Sequence, residues 1–192
     1  MGLSAARRNM ATVDILVSQV LKGAQSQGAK TSKTYLDDLN IKPCQSCGVD
    51  PYPKYCIFDD DMKKTYNMLQ SCDAMVLGSP VYFDTVSAQT KLVIDRCNCL
   101  MPYVKHKDGT YGFKRRMKKC KKGVFIAVAG TDQEFHTILT TVKGFFTWAN
   151  IEMLESILYS HDDDILRGVE SDEERMSQAF KAGVQLAHAL SK

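Results

Sequence analysis

Cys72-Asp73-Ala74-Met75-Val76-Leu77-Gly78-Ser79-Pro80-Val81-Tyr82-Phe83 is the stretch that decides how this 192-residue chain folds. Ala74 to Gly78 is a short apolar run with turn-forming residues directly after it. A strand with apolar side chains on both faces must be covered on both, so the run predicts a buried parallel strand packed between helices. Gly123 to Ala129 (GVFIAVA) and Met153 to Tyr159 have the same form, and Ala29 to Leu36 reads as a further strand. Helical spacing fills the gaps. Val13, Leu16, Val17, Val20 and Leu21 share a face, with Gly23 as a stop. Asp59, Asp60 and Asp61 are capping candidates for a helix to about Ser71. Val86, Thr90, Val93, Cys97 and Leu100 line another helix, Ile138 to Trp148 a fourth, and Asp172 to Ala189 a fifth. Alternating strands and helices predict an α/β sandwich of three layers with a parallel sheet, formed as a single domain over 1–192. The chain opens directly in a polar loop, so the first central strand of such a sheet is expected to be missing.

The composition is that of an ordinary globular chain, 44% hydrophobic and 24% charged. That excludes disorder, and the absence of a run of about 18 apolar residues argues against a membrane span. Met1 to Thr12 lacks the apolar core of a signal peptide, so a cytoplasmic location is expected. Seven cysteines in such a compartment read as thiols or metal ligands, not as a disulfide framework. Net charge is only +3 but unevenly spread: Met101 to Lys122 holds nine Lys or Arg against one acid, Asp108. The plain expectation is a solvated basic loop, and the sharper one an anion-attracting rim. No nucleic-acid motif surrounds it, so a nucleic-acid partner is not expected.

Three loops fall where an open α/β sheet binds ligands, beyond the carboxyl ends of its strands. The opening segment 2–12 gathers hydroxyls, an amide and two guanidinium groups ahead of a helix. That suits a phosphate, and equally suits simple capping by Asn9 or Thr12. Gly78 to Phe83 adds a Pro-set turn with two aromatic rings. Ala129-Gly130-Thr131 repeats the position after the next strand. A fourth feature is a Pro-rich loop at about 43–58 carrying Cys44, Cys47 and Cys56. Thiols two residues apart can share a metal or form a redox pair, although no second CxxC is present to complete a zinc ribbon.

Taken together these residues resemble the flavodoxin-like NADPH-dependent FMN reductase superfamily, and most closely its iron–sulfur flavoprotein branch. The likeness is carried by the Ser/Arg/Asn/Thr loop at 4–12, by Pro43-Cys44-x-x-Cys47, and by Cys56-Ile57-Phe58-Asp59-Asp60-Asp61-Met62. Residues 72–83 and the run Val86-Ser87-Ala88-x-x-Lys91-x-x-Ile94-Asp95-Arg96 complete it. The resemblance implies a flavodoxin-like fold and bound FMN, with the phosphate on Ser4, Arg7, Asn9 and Thr12. It implies the ring on Ser79, Pro80, Val81, Tyr82 and Phe83, closed by Gly130 and Thr131. It also implies homodimers or homotetramers and electron transfer, fed by NAD(P)H or a ferredoxin-like donor. Two departures stand out. The phosphate loop is one residue longer than the family's, and the branch's CxxCxxCx₅C motif has Asp50 at its third cysteine. Cys44, Cys47, Asp50 and Cys56 are therefore the expected metal ligands, for a [4Fe–4S] centre, a three-iron centre ([3Fe–4S]) or zinc, or the loop is empty.

Hydride transfer to a stacked flavin requires no side-chain acid or base, so no catalytic residue is assigned. His106, His136, His161 and His188 read as solvated or structural, and Lys91, Asp95 and Arg96 as local ion-pair partners. Three readings follow: an iron–sulfur electron-transfer flavoprotein, an NAD(P)H-dependent FMN or quinone reductase without a cluster, and a non-enzymatic flavin-binding module.

Overall fold

A computed structural model describes residues 1–5, 11–160 and 168–190. In chain order these form β1 (Gly2–Ser4), α1 (Thr12–Ser26), β2 (Lys33–Tyr35), α2 (Met62–Ser71), β3 (Ala74–Tyr82), β4 (Thr85–Val86) and α3 (Ala88–Arg96). There follow β5 (Tyr103–Lys105), β6 (Tyr111–Phe113), β7 (Lys121–Ala129), α4 (His136–Trp148), β8 (Ile151–Ser160) and α5 (Glu173–His188). The main sheet runs β2-β1-β3-β7-β8 with every pair parallel, and β4 folds back on β3. That is the flavodoxin-like order, whose topological switch point lies between β1 and β3.

Strand alternation builds the layers. Met75, Leu77, Phe125 and Ala127 face one way and pack with residues of α2, α3 and α4. Their neighbours Val76, Val124, Ile126 and Val128 face the other way, against Val13, Leu16, Val17 and Val20 of α1 and Ala179, Ala182 and Leu186 of α5. Both faces of β3 and β7 are thus covered, as their unbroken apolar runs require.

The structure corrects the sequence reading at four points. The first central strand is present: Gly2, Leu3 and Ser4 pair with β2 on one side and β3 on the other. A three-residue segment with a leading glycine carries no strand signal by itself, but two flanking ladders hold it. The Gly78–Phe83 segment is no loop either. β3 continues through Pro80, which stands opposite Val128 of β7, and the chain turns only at Phe83-Asp84. Ladder pairing there overrides the turn preference of Gly, Ser and Pro. The strand expected over Ala29 to Leu36 shrinks to Lys33–Tyr35. Gly23 does not stop α1. It lies inside the helix where α5 crosses, and a Cβ there would sit 2.0 Å from the Phe180 carbonyl oxygen.

The basic segment is only partly a solvated loop. Its middle forms the β5–β6 hairpin. Lys121 is buried with its ammonium donating to the Lys119 carbonyl, Lys119 pairs with Asp73, and Arg115 donates to the Thr147 carbonyl. Arg116 reaches across to the cysteine loop. Several of these cations are therefore committed to the fold.

Candidate functional site

Among the described residues, the flavin contacts expected from sequence fall on one sheet edge. β1, β3 and β7 are neighbours, and their carboxyl ends deliver Ser4, Ser79 to Phe83 and Gly130-Thr131 within roughly 10 Å of strand-to-strand span. Ser4 stands opposite Gly78, and the next residue, Ala5, donates its N–H to the Gly78 carbonyl at 3.0 Å. The loop leaving β1 is thereby tied to β3 before it enters α1. Gly78 itself admits α1 closely, because a Cβ there would lie 2.5 Å from Val17 Cγ2. Arg7 and Asn9 lie outside the described residues; Thr12 is the first residue of α1.

Ser4 is fully buried, and its hydroxyl has no hydrogen-bond partner among the described residues. A buried hydroxyl left unpaired costs about 1–3 kcal/mol, so a fold retains one where something else uses it. At the switch point beside the α1 N-terminus it suits an anionic oxygen. The residues present fit a flavin phosphate.

The side chain of Ser79 is committed to the fold. Its hydroxyl accepts the Ser87 N–H at 3.1 Å and donates to the Pro80 carbonyl at 2.8 Å, bracing β3 against the start of α3. Ser87 in turn caps α3 by accepting the Thr90 N–H. The exposed groups are the two aromatics: Tyr82 is 57% exposed and Phe83 96%. Phe83 and Asp84 have φ of 52° and 58°, a left-handed pair in a two-residue hairpin turn. That conformation suits Asn-Gly, so a phenylalanine held there in full solvent is strained without any packing return. Asp84 anchors the turn by accepting the Glu134 N–H at 2.9 Å, and Gly130 donates its N–H to Gln133 Oε1.

A second site lies under the cysteine loop. A cavity of about 280 Å³ has Cys44, Cys47, Asp50, Cys56, Arg96 and Cys99 in its lining, together with Tyr103, Phe113 and Trp148. Among the described residues no three Cys, His, Asp or Glu side chains form a ready cage for a single ion. Asp50 Oδ1 accepts from Arg116 Nη1 at 3.0 Å, while Nη2 of the same guanidinium donates to the carbonyls of Pro53 and Lys54. The Arg116 guanidinium also lies 4.4 Å from the centre of the Tyr55 ring. Cys99 sits on the turn Cys97–Leu100 after α3, its sulfur 3.1 Å from the Arg96 carbonyl oxygen and 3.2 Å from the Tyr66 hydroxyl. Burial pushes its thiol up to about 11. Sequence reasoning missed Cys99 and Arg96 because both are far from the loop in sequence. The only available signal was an extra cysteine at the end of an apolar helix face.

The profile of the NADPH-dependent FMN reductase family matches residues 2–162. An iron–sulfur flavoprotein of Archaeoglobus fulgidus is 32% identical over 204 residues, covering all of this chain and 96% of the relative. Another, from Methanosarcina thermophila, is 27% identical over 95 residues, half of each chain. Among solved structures, a flavone reductase superposes with a TM-score of 0.75 at 18% identity, covering all of this chain and 62% of that one. An NAD(P)H:quinone oxidoreductase of Methanothermobacter marburgensis gives 0.67 at 13% identity over 96% of both chains. Such low identities speak for the fold alone. The chain belongs to the NADPH-dependent FMN reductase family, in its iron–sulfur flavoprotein branch. By family it is an FMN-type flavoprotein oxidoreductase. No helix among the described residues is long and apolar enough to cross a membrane.

Proposed function

We propose that this protein is an FMN-dependent electron-transfer oxidoreductase, a single domain over 1–192 acting as a cytoplasmic homo-oligomer. Its electrons come from NAD(P)H or a ferredoxin-like donor and pass through FMN and an iron–sulfur cluster in the 43–58 loop. The observation that carries the reading is the buried hydroxyl of Ser4 at the β1/β3 switch point, which has no hydrogen-bond partner among the described residues. Bound FMN would supply hydride and single-electron chemistry. The chain's own part is to bind and orient. Ser4 donates to the phosphate, with Arg7, Asn9 and Thr12 as its companions. The β3 backbone at Ser79, Pro80 and Val81 meets the polar edge of the ring, Tyr82 and Phe83 give it an apolar wall, and Gly130 and Thr131 close the pocket. Cys44, Cys47 and Cys56 supply the loop's thiolates.

Acid release and chromatography of the flavin test this reading, together with NADH and NADPH oxidation by an artificial acceptor. The expected result is about one FMN per chain and turnover with a nicotinamide. Recovery of FAD, or no flavin after reconstitution with excess FMN, overturns it. A reductase without a cluster is the second reading, favoured by the lack of a single-ion cage among the described residues. Iron and sulfide analysis after anaerobic preparation separates the two. The non-enzymatic module drew on a missing first strand, and the presence of β1 removes that support.

A further inference from the structure

Of the seven cysteines, four line the cavity beneath the loop: Cys44, Cys47, Cys56 and Cys99. Cys72 and Cys120 are not on its wall, and Cys97 is buried in the core between the sheet and α4. The carboxylate that occupies the family's third cysteine position has another use. Asp50 neutralises Arg116, whose guanidinium at the same time clamps the Pro53 and Lys54 carbonyls. Pulling Asp50 away to a metal would strand that cation, and a carboxylate is in any case a hard ligand for a thiolate-loving cluster.

The wall of the cavity carries a second pointer. The Arg96 side chain is 1% exposed and lines the cavity, and its Nε has no hydrogen-bond partner among the described residues. Both Nη atoms are used, by Asp60 and by the Lys42 carbonyl. A buried N–H with nothing to donate to fits an electron-rich sulfur beside it, and hydrogen bonds to sulfur are one of the means by which proteins tune such centres. The cavity's 280 Å³ is several times the ~30 Å³ that one water occupies, so the space suits a multi-atom group better than a bare ion.

We propose that Cys99 supplies the fourth thiolate of an iron–sulfur cluster held with Cys44, Cys47 and Cys56, and that Asp50 serves the loop through Arg116. The inference rests on the reading that this loop carries a cluster. Each ligating thiol gives up its proton to solvent on binding. A [4Fe–4S] centre in its ordinary oxidised form holds two ferric and two ferrous ions with four sulfides, so supplying iron in those two states in equal amounts balances the assembly without a further oxidant. The fourth ligand thereby comes from the turn after α3, so the cluster would fasten the cysteine loop to the main body of the protein.

The test is anaerobic reconstitution of the FMN-loaded protein with equal amounts of ferric and ferrous iron and with sulfide, followed by iron, sulfide and FMN analysis and by EPR of the reduced protein. Cys120→Ser is expected to match the parent in iron, sulfide and EPR signal, and Asp50→Asn to match it in the iron and sulfide bound at saturation, since no cluster ligand is lost and the amide oxygen can still accept from Arg116. Cys99→Ala is expected to lose one iron in four or the whole cluster while keeping its FMN, which reports an intact fold. Cys99→Ser should recover part of the iron with an altered spectrum, because a hydroxyl can stand in weakly for a thiolate. Full iron and an unchanged signal in Cys99→Ala, with loss in Asp50→Asn, overturn the Cys99 assignment and leave the cluster reading standing. A parent that binds FMN but takes up neither iron nor sulfide overturns both.

Discussion

Arg96 and Asp60 form a two-pronged ion pair inside the protein, with Nη1 2.6 Å from Oδ2 and Nη2 3.2 Å from Oδ1. Their side chains are only 1% and 5% exposed. Asp60 also accepts the N–H groups of Lys42 and Met62, and Arg96 donates to the Lys42 carbonyl. One pair therefore joins the end of α3, the start of α2 and the entrance to the cysteine loop. The Phe58 ring lies over the guanidinium at 4.9 Å, closing it off from solvent.

Removing one partner of this pair leaves a buried charge unanswered. Asp60→Asn is expected to destabilise the protein by about 3 kcal/mol, and Asp60→Asn/Arg96→Met by less than the single change. Urea titrations of the parent and both variants check the order. An equal loss in the double variant would mean that packing, not charge, dominates.

The same pair sets a pH dependence. Burial pushes the Asp60 carboxyl up, but the Arg96 hydrogen bonds and the two backbone N–H groups outweigh it and hold it below the usual carboxylate range. A carboxyl lowered on folding stabilises fully above its unfolded value, about 3.9, and the contribution is lost as pH falls through the lower native value. Stability against urea should fall below about pH 4 in the parent, and part of that slope should vanish in Asp60→Asn.

Phe83 carries strain that the fold does not need. Phe83→Gly is expected to raise the stability of the flavin-free protein by about 1 kcal/mol, since glycine tolerates the left-handed turn. It should weaken FMN binding by about 1 kcal/mol through loss of the aromatic wall. Flavin fluorescence titration and thermal melts read the two signs separately. If Tyr82→Ala and Phe83→Ala both bind FMN as tightly as the parent, the ring lies elsewhere.

Ser4→Ala makes a similar split. Deleting a buried hydroxyl that has no partner among the described residues should leave the flavin-free protein as stable as the parent or about 1 kcal/mol more so. FMN affinity should drop about ten-fold or more, the size of one lost hydrogen bond to a charged group. A variant that loses stability and keeps its affinity would show that the hydroxyl serves the apoprotein.

Gly183 of α5 tests the crossing with α1. A Cβ there would fall 1.9 Å from the Val20 carbonyl oxygen, a backbone atom that cannot swing aside. Gly183→Ala is expected to cost about 3 kcal/mol by forcing the helices apart, near the upper end for overpacking. Calorimetry of the variant reads this directly. A loss under about 0.5 kcal/mol would mean that the two helices slide freely.

Much of this was legible in the chain itself. Continuous apolar runs at 74–78 and 123–129 and helical spacing at 13–21 dictated a parallel sheet covered on both faces, because each pattern can be buried in only one way. Lys91 and Asp95, four residues apart on α3, pair at 2.7 Å as their spacing requires. Tertiary structure decided whatever depends on partners distant in sequence. β1 exists because β2 and β3 hold it, and β3 outruns its own turn residues because β7 lies alongside. Gly23 and Gly183 are neither stops nor hinges but the close approach of two helices. Arg96, next to Asp95 in sequence, turns inward to Asp60 and away from its own helix's charges. Cys99 came to the loop's cavity by the same route. Local pattern encodes which face of a segment is buried, whereas the identity of what it is buried against is set only when loops close and bring remote segments into contact.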